Sequence, residues 1–339
     1  MLFVTNRRRS GSGGVKPNSR VRFNLKEPDP ETQFFACRND GGDSYEFLGS
    51  KLLFQELQNQ DRRNILIFIH GFNVEMPDAL ASAEQLQAAL DHRLGSTGKH
   101  AALVVPFIWP AMGGVLDYLN DQDAAKASAI SYSRLLSFFV RWRGSAAAAD
   151  CDRRINLLSH SMGNRVLVYG LFDWAQKNSG VPHLFRNVFM AAPDIVNQSL
   201  ERGEFGRCVS DSARNVTVYH ASDDVALRSS KGANLANGVA SRRLGHNGPE
   251  DMHAVARNVY SVDCSDFNNS YDDPLGHGYF LRRGFKLGGT PSEDSGAVLK
   301  HLAHAIREGR VDIPGNARLA SPGTGPELRA FVLDEGYGR

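Results

Sequence analysis

Little in this sequence points to a metal, a redox centre or a membrane. Its four cysteines, Cys37, Cys151, Cys208 and Cys264, are scattered along 339 residues with no C-x-x-C pair. That spacing excludes a zinc knuckle and a dithiol redox motif, and fits reduced structural thiols in the cytoplasm. No apolar run approaches the roughly 20 residues that a membrane-spanning helix needs. The opening MLFVTNRRR places its apolar residues before its charges, the reverse of a secretory signal. Charge of one sign is missing too: 39 basic and 37 acidic residues leave a net +2, too little to draw nucleic acid or an anionic membrane as a bulk partner. The expectation is a cytoplasmic protein that acts on a small molecule and needs neither metal nor organic cofactor; oligomeric state is not legible.

What is present is an ordinary globular composition, 42% hydrophobic and 22% charged, in a chain long enough to bury a large core without covalent staples. Five segments share one grammar, starting on basic or amide residues, running through apolar β-formers and stopping at small or polar ones. They are RNILIFIHG from Arg63, RRINLLSHS from Arg153, RNVFMAAPD from Arg186, RNVTVYHAS from Arg214 and RNVYSVDCS from Arg257. Continuous apolar runs of this kind are buried strands of a parallel sheet. ALVVPFIWP (102 to 110) reads as a further strand, and helical stretches at 79 to 90, 124 to 142, 164 to 176 and 295 to 309 supply the crossovers that parallel strands require. The shared RN start reads as a strand-start preference, because the segments between share no further similarity.

This pattern predicts an α/β fold with a mostly parallel central sheet and helices on both faces, over residues 61–308. Residues 1–60 read as a partly flexible extension. Its RRRSGSGG stretch is a solvated loop, since no helix start follows to make a phosphate cradle. Residues 309–339, rich in proline and glycine, read as an extended tail. Ligands of an open α/β sheet sit outside the carboxyl ends of its strands. Those ends carry His70 and Gly71, Ser161, Asp194, Asp223 with Asp224, and Asp263 with Asp266.

Ser161, in LLSHSMGN, stands between a strand and a helix with small residues two before and two after it, Ser159 and Gly163. That is what a nucleophile elbow needs, because its sharp turn brings backbone close to the neighbouring strand and helix. A serine nucleophile also needs a histidine base within hydrogen-bond reach. His301 and His304 sit in the last helix without an accompanying carboxylate or cysteine, so no metal site is expected there. His246 and His253 flank a charged loop, and His160 lies inside the elbow.

The motifs IFIHGFN, FIWP, LLSHSMGNRVL, MAAPDI, YHASDDVAL and GHGYF occur here in the order and spacing of a family of bacterial α/β-hydrolases of unknown function. The chain resembles that family, which is similar to esterases and lipases, over roughly residues 60 to 305. It departs from it at WPA (109 to 111), where the family pattern is WPS. The resemblance implies the α/β-hydrolase fold and a serine hydrolase constellation. In that fold the base follows the last strand, which points to His277. The oxyanion donors are the backbone N–H of Met162, after the nucleophile, and that of Phe72 in the HGFN loop. Gly71 and Gly163 then allow close backbone approach, and His70 braces the loop.

Two strand ends offer the acid, Asp194 in AAPDI and the pair Asp223 and Asp224 in HASDDVAL. An aspartate two residues before AL matches the family, which picks Asp224 and leaves Asp223 to cap the following turn. Phe72, Trp109, Met112 and Phe280 are expected to line an apolar pocket, and 113–128 reads equally as a lid or as a surface helix. The function expected is a serine hydrolase of carboxylic esters working through an acyl-enzyme. The alternatives are a hydrolase-like binding protein without turnover, and an acyltransferase with the same triad.

Overall fold

The apolar segments do become neighbouring strands, and the sheet they build is wider than the sequence suggests. The computed structural model describes residues 1–25, 27, 30–112, 118–145, 148–149, 151–229, 242–281, 296–314, 318 and 326–338. Its strands are β1 (Leu2–Arg7), β2 (Ser19–Val21), β3 (Pro30–Arg38), β4 (Tyr45–Phe47), β5 (Arg62–Ile69), β6 (Gly98–Ile108), β7 (Arg154–His160), β8 (Phe185–Ala191), β9 (Ala213–His220), β10 (Val259–Asp263) and β11 (Ala330–Val332). They lie side by side in the order β11-β10-β9-β8-β7-β5-β6-β1-β3-β4-β2. Pairing is parallel from β11 to β1, and antiparallel where β3, β4 and β2 extend the edge.

Alternate side chains of the central strands feed two cores, as a pleated strand requires. Ile65, Leu157 and Val188 pack with Leu53 and Phe54 of α1 (Gly49–Gln58), Leu135 of α3 (Tyr118–Arg143) and Val166 and Leu171 of α4 (Gly163–Asn178). Leu66, Leu158 and Phe189 face the other way, onto Leu86 and Leu90 of α2 (Met76–Leu94) and Val298 and Leu302 of the C-terminal helix Ala297–Glu308. The predicted helices and the strand over 102 to 110 are all present, with ends shifted by a few residues.

The sheet runs through both boundaries drawn on the sequence. Residues 1–60, expected to be a partly flexible extension, supply β1 to β4 and α1. Every residue of β1 is buried, including its polar half: Thr5 Oγ1 donates to the Ile108 carbonyl (2.7 Å), Asn6 Nδ2 to Ser128 Oγ (2.9 Å) and Arg7 Nη2 to the Ala111 carbonyl (2.6 Å). At the other end, the expected extended tail contributes β11, which pairs with β10 and buries Phe331 and Leu333.

The asparagines of the shared strand starts have a structural use. Asn156, Asn187 and Asn215 are register partners on β7, β8 and β9. Asn187 Nδ2 donates to Asn156 Oδ1 (2.8 Å), and Asn215 Nδ2 to Asn187 Oδ1 (2.9 Å). Parallel strands in register stack like residues directly side by side, so each buried amide oxygen of Asn156 and Asn187 receives the side-chain N–H of the next strand's asparagine across the base of the sheet. Asn187→Ala should leave Asn156 Oδ1 without its donor and cost about 2–4 kcal/mol. Urea unfolding checks this, and a midpoint unchanged from wild type would refute the ladder's role.

Candidate functional site

Ser161 joins β7 to α4 at a backbone φ of 50°, a left-handed conformation that costs a residue with a Cβ about 1–2 kcal/mol. The surrounding structure holds it there. Ser161 N–H donates to the Ala191 carbonyl at the end of β8 (2.9 Å), Asp194 N–H donates to the Ser161 carbonyl (3.2 Å), and Asn164 Nδ2 donates to the carbonyls of Ser159 (3.1 Å) and Ser161 (3.0 Å). Small neighbours make the turn sterically possible. A Cβ on Gly163 would lie 2.4 Å from the His70 carbonyl oxygen, and one on Gly71 would lie 2.9 Å from Ser161 Cβ. Ser161 is 6% exposed, and its hydroxyl has no hydrogen-bond partner among the described residues.

The backbone N–H groups of Met162, at the N-terminus of α4, and of Phe72, in the loop after β5, make no hydrogen bond among the described residues. Unpaired amides beside a helix N-terminus favour an anion. Buried His70 supports this loop. Its Nε2 accepts from Trp109 N–H (3.2 Å), its Nδ1 meets the Gly71 carbonyl (2.9 Å), and its ring stacks on Trp109 with planes 4° apart. Burial pushes its pKa down to about 3, so it is a neutral brace.

His277 lies across the strand ends from the elbow. Its Nδ1 is 2.7 Å from Asp224 Oδ2, and that carboxylate is fully buried. Asp224 begins the turn after β9, where its Oδ1 accepts Leu227 N–H (2.9 Å), and Val225 N–H donates to the Leu275 carbonyl (3.0 Å), tying the acid's loop to the base's loop. Asp272 grips the base segment through the amides of His277 (3.0 Å) and Gly278 (2.6 Å). His160 packs its ring against that of His277, centroids 4.8 Å apart, and against that of Phe280 at 4.5 Å. Burial alone would lower the His277 pKa, but the charge and hydrogen bond of Asp224 outweigh it and raise the pKa above its ordinary value.

The other candidates go elsewhere. Asp223 accepts from Asn269 Nδ2 through its side chain. Asp194 accepts from the Tyr118 hydroxyl (2.7 Å) and faces Arg165 and Arg243. His253 is exposed, and His246 meets Asn247 Oδ1 at the surface. His301 is buried between Tyr219 and the Asp312 carbonyl, while among the described residues no three His, Cys, Asp or Glu side chains converge to hold a metal ion. Of the four expected pocket residues, Phe72 and Met112 are half-buried, whereas Trp109 and Phe280 are buried braces behind His70 and His160. Within 113–128, residues 113–117 lie outside the described residues and the rest belongs to α3. Sequence reasoning missed Asp272, the packing role of His160, and Tyr118, whose ring meets Phe72 edge-on at 5.5 Å. Only Asp272, in the turn-rich YDDPLGHG, left a signal.

A mostly parallel sheet flanked by helices, with a serine elbow after β7 and a His–Asp pair beyond later strands, defines an α/β hydrolase. The chain belongs to the family described as alpha/beta hydrolase of unknown function (DUF900), whose model matches residues 47–285. No curated protein matches the sequence. Among solved structures, one from work on LipS and LipT, two metagenome-derived lipolytic enzymes, is 11% identical over 54% of this chain and 82% of that one, with a TM-score of 0.26. Phospholipase PlaB from Legionella pneumophila, in complex with thio-NAD, is 15% identical over 62% of this chain and 40% of its own, with a TM-score of 0.26. The peroxisomal alpha-beta-hydrolase Lpx1 from Saccharomyces cerevisiae is 13% identical over 58% and 45%, with a TM-score of 0.24. The chain thus spans less than half of the latter two. Among the described residues no helix is long and apolar enough to cross a membrane.

Proposed function

We propose that this chain is a serine hydrolase of carboxylic esters. The observation that carries the reading is the 2.7 Å contact between His277 Nδ1 and buried Asp224 Oδ2, beyond the carboxyl ends of the strands, as is the strained Ser161 elbow. With Nδ1–H donated to Asp224, the Nε2 lone pair is the one that takes the proton of Ser161 Oγ. The hydroxyl oxygen attacks the ester carbonyl, and the amides of Phe72 and Met162 receive the oxyanion. His277 then passes its proton to the leaving alcohol, and water repeats the sequence to free the acid from Ser161. The four cysteines, all free thiols, support a cytoplasmic location.

An ester panel of graded acyl length tests the activity. The pH profile tests the triad. His277 must be neutral to act as base, and its pKa lies above the ordinary 6.5, so kcat/KM should rise with pH through a limb above that value. Asp224→Asn removes the largest of the charges that raise the pKa, leaving burial opposed only by the weaker pull of Asp272 and Asp194. The limb should move to lower pH while kcat falls by about 10⁴, and Asp223→Asn should keep most activity. A limb that stays in place in Asp224→Asn would mean that another group is the base.

A further inference from the structure

Asp194, left out of the triad, is faced by two arginines among the described residues. Arg165, on the first turn of α4, and Arg243, alongside the chain that follows β8, are 7% and 3% exposed, and Asp194 is 1% exposed. Arg243 Nε lies 3.3 Å from Asp194 Oδ1, off the hydrogen-bond line, and Arg165 Nη2 lies 3.8 Å from Oδ2. Two guanidinium groups therefore share one carboxylate. Among the described residues, Nε and Nη2 of both arginines are buried without a hydrogen-bond partner. Arginine cannot shed its charge to relieve this, and buried donors left unpaired are rare in folded proteins.

The two arginines also line a cavity of about 70 Å³, together with Val168, Ile195, Ser199 and Glu204. That is room for several waters, or for one group the size of a carboxylate or phosphate. Glu204 sits exposed at the rim and makes no ion pair with either arginine among the described residues. Guanidinium forks match oxyanions in shape as well as charge.

We propose that Arg165 and Arg243 form a binding site for one oxyanionic group, a phosphate or a carboxylate. The site adjoins the nucleophile: Arg165 is in the helix that begins beside Ser161, and the Asp194 amide bonds the Ser161 carbonyl. If the group belongs to the substrate, a step that rests on the hydrolase reading, the preferred ester carries a negative charge away from the scissile bond.

Thermal midpoints are measured against inorganic phosphate and acetate at constant ionic strength, which requires no turnover. Wild type should rise in a saturable way with at least one of them. Arg243→Gln, in which Arg165 remains to pair Asp194, should bind that anion about ten- to a hundredfold more weakly. Ser199→Asp supplies a tethered carboxylate to the cavity, and should melt higher than wild type and no longer respond. A wild type indifferent to both anions, as a cavity merely filled with water would be, overturns the site; so does an unchanged response in Arg243→Gln, or in Ser199→Asp should the former not fold. Two esters of one acyl group, with neutral and anionic alcohols, then locate the source. Preference for the anionic ester that collapses in Arg243→Gln puts the group on the substrate, and anion binding without such preference assigns the site to a free anion.

Discussion

Ser161→Ala should lower kcat for ester hydrolysis by about 10⁶ and abolish labelling by a fluorophosphonate, which should attach once to the wild-type chain. The expectation comes from how much structure is committed to this side chain. The left-handed φ of 50° is unfavourable for serine, and the elbow persists because bonds from the ends of β7 and β8 hold it. Alanine keeps the Cβ and all the backbone bonds, so the variant should fold with little change in stability while losing the one oxygen that attacks. Undiminished hydrolysis by a folded Ser161→Ala protein would remove the nucleophile from the proposal and leave an elbow with another use. A second labelled serine would point to a separate reactive hydroxyl.

The elbow was legible because its determinants are local: an apolar run, a serine between small residues and a helix, all within about a dozen residues. The same holds for the central strands, whose burial on both faces writes a continuous apolar pattern. The pairing of acid and base is different in kind. Asp224 and His277 are 53 residues apart in sequence, and only the strand order brings their loops together, so residue pattern alone left three aspartates open. The ends of the chain were misread for another reason. Thr5, Asn6 and Arg7 look like solvated polar residues, yet each is buried by a hydrogen bond to a distant segment. β11 is three residues long, too short for periodicity to register. The Arg165–Asp194–Arg243 cluster left no sequence signal either, because its three charges come from separate stretches and meet only after folding.

His277→Ala should be about as damaging as the serine change, with kcat lower by about 10⁶, since a serine without its base is no better a nucleophile than an unassisted alcohol. The rival base is His160, next to Ser161 in sequence and in ring contact with His277. Its partners argue against it. Nε2 lies 3.3 Å from the His277 carbonyl, which fixes that nitrogen as a donor, and burial holds its pKa well below the ordinary value. No carboxylate accepts from its ring among the described residues, so nothing would stabilise the imidazolium formed during attack. His277 has that stabilisation from Asp224 at 2.7 Å. His160→Phe keeps an aromatic ring against His277 and Phe280 and should retain activity within about tenfold, the cost of a slightly misplaced base. His246→Ala and His253→Ala, neither of which bonds to Asp224 or His277 among the described residues, should be mild. Added imidazole offers a second readout, because the cavity left in His277→Ala lies beside Asp224 and should bind the small base and recover part of the lost rate, while His160→Phe gains nothing from it. A His160→Phe protein as inactive as His277→Ala, with the latter unresponsive to imidazole, would transfer the proton-accepting role to His160.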